Sequence, residues 1–180
     1  MNSDAKSPLS ENKSCRHSSV EERVLGKDEV ASSTLAGGSR TLAIIKPDAI
    51  ERRFVGKIIT EIEEHGFSIV GCKIVRLWKD SAEQFYREHE GKDFFPKWIE
   101  FMVSGPVMVL VLEKWNAVED WRRLMGIKSD ETYAFFKSIR GRWAEAMNRN
   151  LVHGSDSNEA ADREIKFFFD IDELDLASVA

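Results

Sequence analysis

Residues 41–47 read Thr-Leu-Ala-Ile-Ile-Lys-Pro, a short apolar run that ends at a proline. Such a run is typical of a buried strand followed by a turn, and it places Lys46 at the end of the strand. Apolar residues then recur at the spacing of an amphipathic helix over residues 55–62, and Gly66 tolerates the left-handed conformation that often follows a helix. A second strand is predicted over 67–77, so the domain opens with a β-α-β unit.

The same alternation of strands and helices continues along the chain. The pattern predicts a helix over 95–102, a third strand over 107–112, and a fourth strand that ends at 150–152. Three polar residues begin capping-box patterns and predict where further helices start: Ser81, Asn116 and Asp156. Two β-α-β units around four strands predict an α+β, ferredoxin-like fold (βαββαβ), with a four-stranded antiparallel sheet and surrounding helices.

The composition limits the kind of protein. The chain has 180 residues, of which 42% are hydrophobic and 32% charged, as expected for one compact domain with a tail. Its formal charge of −5 lacks the basic surplus that binding to phosphate backbones needs, so no nucleic-acid partner is expected. The longest apolar run, 107–112, is too short to span a bilayer, so no membrane partner is expected either. The two cysteines lie far apart without metal-ligand spacing, which excludes a disulfide framework and a structural zinc site.

Residues 1–40 differ in composition from the rest of the chain. They contain nine serines and no Phe, Trp or Tyr, and their acidic and basic residues balance. They lack the apolar segment of a secretory signal, and their six acidic residues are unlike a mitochondrial transit peptide. We therefore predict a disordered Ser-rich N-terminal arm over 1–40 and a folded domain over 41–180. A cytoplasmic protein is expected, with a mitochondrial location as the alternative.

The segment 150–157 combines residue types that favour chemistry on a phosphate. It reads Asn-Leu-Val-His-Gly-Ser-Asp-Ser, so His153 stands at the end of a predicted strand, just before the start of a predicted helix. An uncharged imidazole is a nucleophile. Gly154 would let a bulky anion approach the backbone, and the N-terminus of the helix would favour negative charge nearby. The alternative is an ordinary loop in which His153 is a surface or core-edge residue.

Glu164 adds a second titratable group to this region. On the last predicted helix its carboxylate faces inward, at the edge of the apolar stripe. A carboxylate in such a place needs a partner. Either the imidazole of His153 or the hydroxyl of Ser155 holds it, or it pairs with a lysine or arginine at the rim of the domain. The residues alone leave both interpretations open.

Five short segments, taken together, resemble the nucleoside diphosphate kinase family. They occur in the order of the family and at nearly its spacing: 41–48, 104–107, 124–126, 139–141 and 150–157. The resemblance covers residues 41 to about 170, and the segment around His153 is highly specific for the family. Residues 85–91 further indicate one of the divergent eukaryotic branches.

The resemblance implies a ping-pong reaction at His153. This histidine would accept the γ-phosphoryl group of a nucleoside triphosphate and pass it to a nucleoside diphosphate. Mg²⁺ would be bound with the nucleotide, and Asp156 would touch it only through water or phosphate. Ser155 and Glu164 would position the ring, and Lys46 would contact the transferred group and the ribose 3′-hydroxyl. The remaining implied nucleotide contacts are Tyr86 beside the histidine, Phe94 and Met147 around the base, Arg122 and Arg140 on the phosphates, and Asn150 on the sugar. For each cation the alternative is a solvated surface charge, and for Phe94 it is a core aromatic.

The sequence departs from the family pattern in three places. Lys128, an implied phosphate contact, stands where the family has a threonine that helps to hold the phosphates; a lysine neutralises phosphate but lacks the compact hydroxyl. The loop 129–138 and the short segment after Phe169 differ from the segments that join subunits in family hexamers. A homo-oligomer, hexameric by the resemblance, is still expected. The alternative hypothesis is a weakly active or inactive member that acts as a nucleotide-binding or scaffold module.

Overall fold

The computed structural model describes residues 39–127, 133–146 and 148–175. Within them, four strands form one antiparallel sheet in the order β2-β3-β1-β4. The strands are β1 (Ser39–Ile45), β2 (Ser68–Arg76), β3 (Pro106–Lys114) and β4 (Val152–Gly154). This order and the helices between the strands confirm the predicted α+β, ferredoxin-like fold. The predicted arm, apart from its last two residues, lies outside the described residues.

Helices connect the strands and cover both faces of the sheet. None of those in the described part of the chain is long and apolar enough to cross a membrane. A single 3-10 turn, Arg87–His89, follows the third of them. The helices are α1 (Pro47–Glu51), α2 (Val55–Glu64), α3 (Lys79–Phe85), α4 (Phe95–Val103), α5 (Ala117–Met125), α6 (Tyr133–Lys137), α7 (Ile139–Trp143), α8 (Asn158–Phe168) and α9 (Ile171–Asp175).

The apolar run at the start of the domain is the centre of two hydrophobic cores. Ala43 and Ile45 of β1 face the core under α2 and α5, whereas Leu42 and Ile44 face the core under α3, α4 and α8. A strand that is buried on both faces reads as a continuous apolar run, without the alternation of a half-exposed strand. This burial explains why β1 was predictable, and it places the C-terminal end of β1 between two packed layers.

Several helix starts differ from the prediction in their position or in the residue that caps them. The predicted cap at Asn116 is wrong in its chemistry: the Ala117 amide donates to the Ser39 hydroxyl of β1 over 2.9 Å. The last long helix begins one residue later than predicted, and its cap is Ser157, whose hydroxyl accepts from the Ala160 amide. Helix α3, in contrast, begins earlier than predicted, at Lys79 and not after Ser81, and ends at Phe85. The short helix α9 was not predicted.

Candidate active site

His153 lies within a strand and not at the end of one. The strand was predicted to end at 150–152, but β4 runs over Val152–Gly154, and His153 pairs with Ile44 of the central strand β1. The side chain of His153 is 16% exposed. The imidazole is therefore held on a rigid element and still reaches solvent at one edge.

The backbone on either side of the imidazole is fixed by Trp121 of α5. The indole Nε1 of Trp121 donates a hydrogen bond to the carbonyl oxygen of His153 over 3.1 Å. Gly154 is buried, and a Cβ at that position would overlap the Trp121 ring. The prediction that Gly154 opens the backbone to an anion is therefore wrong, because the missing side chain makes room for the indole. Sequence reasoning did not identify this contact.

One carboxylate oxygen joins His153 to Ser155. Glu164 Oε2 lies 3.1 Å from His153 Nε2 and accepts a hydrogen bond of 2.7 Å from the Ser155 hydroxyl. The same hydroxyl accepts a bond of 3.2 Å from the Leu42 amide, so β1 anchors the whole arrangement. Glu164 is 5% exposed. Of the two interpretations left open for its partner, the inward one holds, and the rim cation Arg163 binds another acid.

The hydrogen bonds to Glu164 determine its charge and the state of the imidazole. Burial alone would raise the pKa of Glu164, but the hydrogen bonds from His153 and Ser155 lower it below its ordinary value. A carboxylate accepts hydrogen bonds only, so its contact with Nε2 implies that this nitrogen carries the proton. None of the described residues forms a hydrogen bond with Nδ1. With the proton on Nε2, the lone pair of Nδ1 is available.

Lys46 brings a buried cation to the C-terminal end of β1. It is 3% exposed, and its Nζ donates a hydrogen bond of 2.6 Å to Oδ1 of Asn150. Nζ also lies 5.5 Å from the centre of the Trp98 ring, within the range of a cation–π contact. Burial, followed by the nearby charge of Arg140, lowers the pKa of Lys46 to about 7, while the charge of Asp48 opposes this effect.

The two arginines of the predicted phosphate clamp are each held in a different way. Arg140 of α7 donates from its two terminal nitrogens to the carbonyl oxygens of Gly126 and Val152, both over 3.0 Å. Burial, then the charge of Arg122, lowers the pKa of Arg140 to about 10. Arg122 of α5 forms an ion pair with Asp156, whose side chain is 73% exposed. The guanidinium groups of Arg122 and Arg140 therefore lie close enough to repel each other. Two such groups can contact the same polyanion.

Aromatic rings line the other side of the site. The ring of the buried Tyr86 lies 5.8 Å from the imidazole of His153, edge to face. Burial and the charge of Glu164 raise the pKa of Tyr86, so the phenol keeps its proton. Phe94 is 37% exposed and packs 5.5 Å from Trp98, so it is not the core aromatic of the alternative interpretation. Sequence reasoning did not single out Trp98, whose ring contacts both Phe94 and Lys46.

Most of the sequence-predicted residues come together, although their chemical roles stay predictions. Met147 and Lys128 lie outside the described residues. Among those described, no group of three or more His, Cys, Asp and Glu side chains is arranged to hold a metal ion. The structure instead gathers a single oriented imidazole, three cations and an exposed aromatic ring. Such a set can bind a polyanion that carries a planar group, and it can attack that polyanion through nitrogen.

Both the sequence and the fold of the domain match known proteins. The family model described as nucleoside diphosphate kinase matches residues 39–174. A solved structure described as the orthorhombic crystal form C222 of the Aquifex aeolicus nucleoside diphosphate kinase is similar, with a TM-score of 0.72 and 36% sequence identity. That match covers 76% of this chain and 99% of the other. Since the family model spans three quarters of the sequence, this chain belongs to the nucleoside diphosphate kinase family.

Proposed function

We propose that the chain transfers the γ-phosphoryl group of a nucleoside triphosphate to a nucleoside diphosphate through His153. One observation supports this most directly: Glu164 engages Nε2 of the imidazole and leaves Nδ1 without a partner among the described residues. A ring that is fixed at one nitrogen presents the lone pair of the other in a constant direction. The nucleophile is therefore Nδ1.

The reaction has two half-steps that mirror each other. In the first, the Nδ1 lone pair attacks the γ-phosphorus, an N–P bond forms, and the bond to the bridging oxygen breaks. The electron pair of that bond leaves with the nucleoside diphosphate. The ring keeps the proton on Nε2, and the carboxylate of Glu164 stabilises the positive charge that the ring acquires. In the second half-step a terminal oxygen of another nucleoside diphosphate attacks the phosphorus, and the N–P bond breaks.

The cations provide the charge that phosphoryl transfer requires. Lys46 and Arg140 are largely buried, so each interacts strongly with a phosphate that enters the site. An anion next to Lys46 also favours its protonated form, which offsets the effect of burial on its pKa. Arg122 exchanges the carboxylate of Asp156 for a phosphate, or binds both.

Recognition of the base and of the metal follows from exposed groups. Phe94 offers a ring face to a nucleobase, and stacking accepts any base because each has a π-face. Asp156 supplies an exposed carboxylate oxygen, the donor type that Mg²⁺ prefers, but among the described residues it belongs to no group of three or more acidic, His or Cys side chains that could hold a metal ion. If Mg²⁺ accompanies the nucleotide, Asp156 would approach it only through water or phosphate, and the ion would supply further neutralisation of phosphate charge.

The direct test is exchange of the terminal phosphoryl group between labelled ATP and GDP. Wild-type protein is expected to form labelled GTP and, with ATP alone, an acid-labile and base-stable phosphoprotein. His153→Ala removes the nucleophile and should abolish both signals. His65→Ala is the matched control, because His65 is half exposed at the end of α2 and makes no contact with the site residues.

The same assay distinguishes the enzyme from the alternative, a nucleotide-binding or scaffold module. Two features favour that alternative: the terminal nitrogens of Arg140 already donate to backbone carbonyls, and Arg122 already pairs with Asp156. Binding of nucleotide by clean wild-type protein, without phosphohistidine and without exchange, would select the module over the enzyme.

A further inference from the structure

Asp48 is a buried acid that the reaction above does not use. It lies in the first turn of α1, two residues after Lys46, and its side chain is fully buried. Its Oδ2 accepts a hydrogen bond of 3.1 Å from the Leu151 amide, whereas Oδ1 has no partner among the described residues. Burial of a carboxylate is costly unless it accepts hydrogen bonds, and the Leu151 amide supplies one such bond.

Leu151 has a backbone conformation that needs support. Its φ is +71°, in the left-handed region that residues other than glycine seldom adopt. Two residues hold it: its amide donates to Asp48, and its carbonyl oxygen accepts from the Lys46 amide over 2.8 Å. The end of β1 and the start of α1 therefore each hold this turn through one hydrogen bond.

This turn carries the groups that surround the transferred phosphoryl group. Asn150, which accepts from Lys46 Nζ, comes directly before Leu151, and β4 with His153 comes directly after it. A change in the backbone at Leu151 would therefore move Asn150 and the start of β4 relative to Lys46.

We propose that Asp48 is a positioning residue for phosphoryl transfer: its carboxylate holds the Asn150-Leu151 turn, so that Asn150 meets Lys46 beside His153. The inference rests on the proposed function. It assigns Asp48 no contact with the nucleotide.

Electrostatics give Asp48 a second influence on the same lysine. The charged groups that face Lys46 are Arg140 of α7 and Asp48, and those that face Asp48 are Lys46 and Arg149. Burial raises the pKa of Asp48, although the Leu151 amide and the charge of Lys46 oppose this rise. Loss of the Asp48 charge would lower the pKa of Lys46 further, because that charge favours the protonated amine.

Three variants separate the hydrogen bond, the charge and the backbone conformation. Asp48→Ala removes bond and charge, Asp48→Asn keeps an acceptor oxygen without charge, and Asp48→Ala with Leu151→Gly relieves the left-handed residue. Asp80→Ala is the control, since Asp80 occupies the first turn of α3 but is exposed.

The expected results follow from these differences. Asp48→Ala lowers kcat about 10- to 100-fold, because small displacements at a transfer site have effects of this size, and the added glycine restores part of the loss. In Asp48→Asn the fall of kcat/KM at alkaline pH begins at a lower pH, since Lys46 loses its proton earlier. Asp80→Ala behaves as wild type. Unchanged kcat in Asp48→Ala, or a loss that the glycine does not relieve, would overturn the proposal, as would an unshifted pH profile in Asp48→Asn.

Hydrogen exchange of the Leu151 amide, measured by NMR without nucleotide, is independent of activity. Faster exchange in Asp48→Ala than in wild type is expected, with Asp48→Asn nearer to wild type. Equal exchange in all three proteins would overturn the structural basis of the proposal even if activity falls. A third outcome is wild-type protein without phosphoryl transfer in which Asp48→Ala still loses protection at Leu151. It would overturn the proposed function, and with it the role of Asp48 in transfer. The structural role of Asp48, which is to hold the turn, would stand.

Discussion

Glu164 Oε2 and His153 Nε2 lie 3.1 Å apart in a part of the domain where the carboxylate is almost completely buried. A buried carboxylate that keeps its charge strengthens its hydrogen bonds, because water does not screen them. The second bond, from Ser155, occupies the same oxygen and fixes the direction of the carboxylate. The two hydrogen bonds therefore orient the imidazole and place a negative charge against its Nε2.

Replacement of Glu164 by Gln should lower kcat with little change in KM. The amide retains the size of the side chain but loses the charge, and hydrogen bonds to charged groups contribute about 1.5–3 kcal/mol. That range corresponds to roughly a 10- to 150-fold decrease in kcat. Steady-state exchange kinetics check this value, with Glu159→Gln, an exposed acid at the start of α8, as the control. Equal kcat values for the two variants would contradict the role of Glu164.

The features that sequence predicted are those that depend on local pattern. The strand β1 and the helix α2 can be recognised from the sequence alone. A strand that is buried on both faces gives a continuous apolar run, and a helix that is buried on one face gives apolar residues at helical spacing. The inward direction of Glu164 was also predictable, because its spacing from the apolar residues places it on the same side of the helix. The position of His153 near the start of α8 followed from turn and capping residues, although the strand boundary was wrong.

The features that sequence did not predict depend on residues far apart in the chain. Ser39 caps a helix 78 positions later, and the Trp121 indole bonds a carbonyl 32 positions away. The left-handed Leu151 carries no sequence signal, since leucine is unfavourable there and contacts with Asp48 and Lys46, about a hundred positions earlier, support it. Contacts of this kind arise when elements pack, so composition and spacing do not encode them locally.

A methyl group at Gly154 should destabilise the fold, whereas one at Gly56 should not. A Cβ at 154 would overlap the Trp121 ring, and overpacking of a core costs about 1–3 kcal/mol. Gly56 is the second residue of α2, and no atom from outside its own helix lies within 4 Å of the position of a Cβ, so alanine should stabilise the helix by at most about 1 kcal/mol. Urea unfolding of both variants measures the free energies. A Gly154→Ala protein as stable as Gly56→Ala would show that the indole does not constrain this backbone.

Substitution of Asp156 by Asn should strengthen the binding of ATP when Mg²⁺ is absent. The acid pairs with Arg122 at an exposed position, where an ion pair contributes at most about 1 kcal/mol, so the gain in affinity should not exceed roughly 5-fold. With Mg²⁺ the gain should shrink, because the carboxylate then faces a cation. Titration calorimetry in EDTA and in Mg²⁺ compares the two conditions. Asp162→Asn, an exposed acid on α8, should change neither affinity. Weaker binding of Asp156→Asn in EDTA would show that Arg122 does not meet the phosphates.

The buried amine of Lys46 should make the stability of the nucleotide-free protein depend on pH in a defined window. Its pKa is about 7 in the folded protein against an ordinary value of 10.5. Below pH 7 the amine is protonated in both states, and the folded state carries the full cost of the buried charge. Between pH 7 and 10.5 only the unfolded state holds the proton. Unfolding then takes up a proton, and the free energy of unfolding rises with pH.

Lys46→Met removes this dependence and keeps the length of the side chain. The advantage of Lys46→Met over wild type in the free energy of unfolding should be largest below pH 7, and it should shrink by up to about 4 kcal/mol as the pH rises towards 10.5. Lys97→Met, at an exposed position on α4, should differ from wild type by a constant amount, because the other titrating groups cancel in the comparison. Guanidinium unfolding at pH 6, 8 and 10 provides the three differences. A constant difference for Lys46→Met as well would mean that the folded and unfolded proteins bind this proton equally. The amine would then reach solvent, and it would not provide the concentrated charge that a phosphate in this site requires.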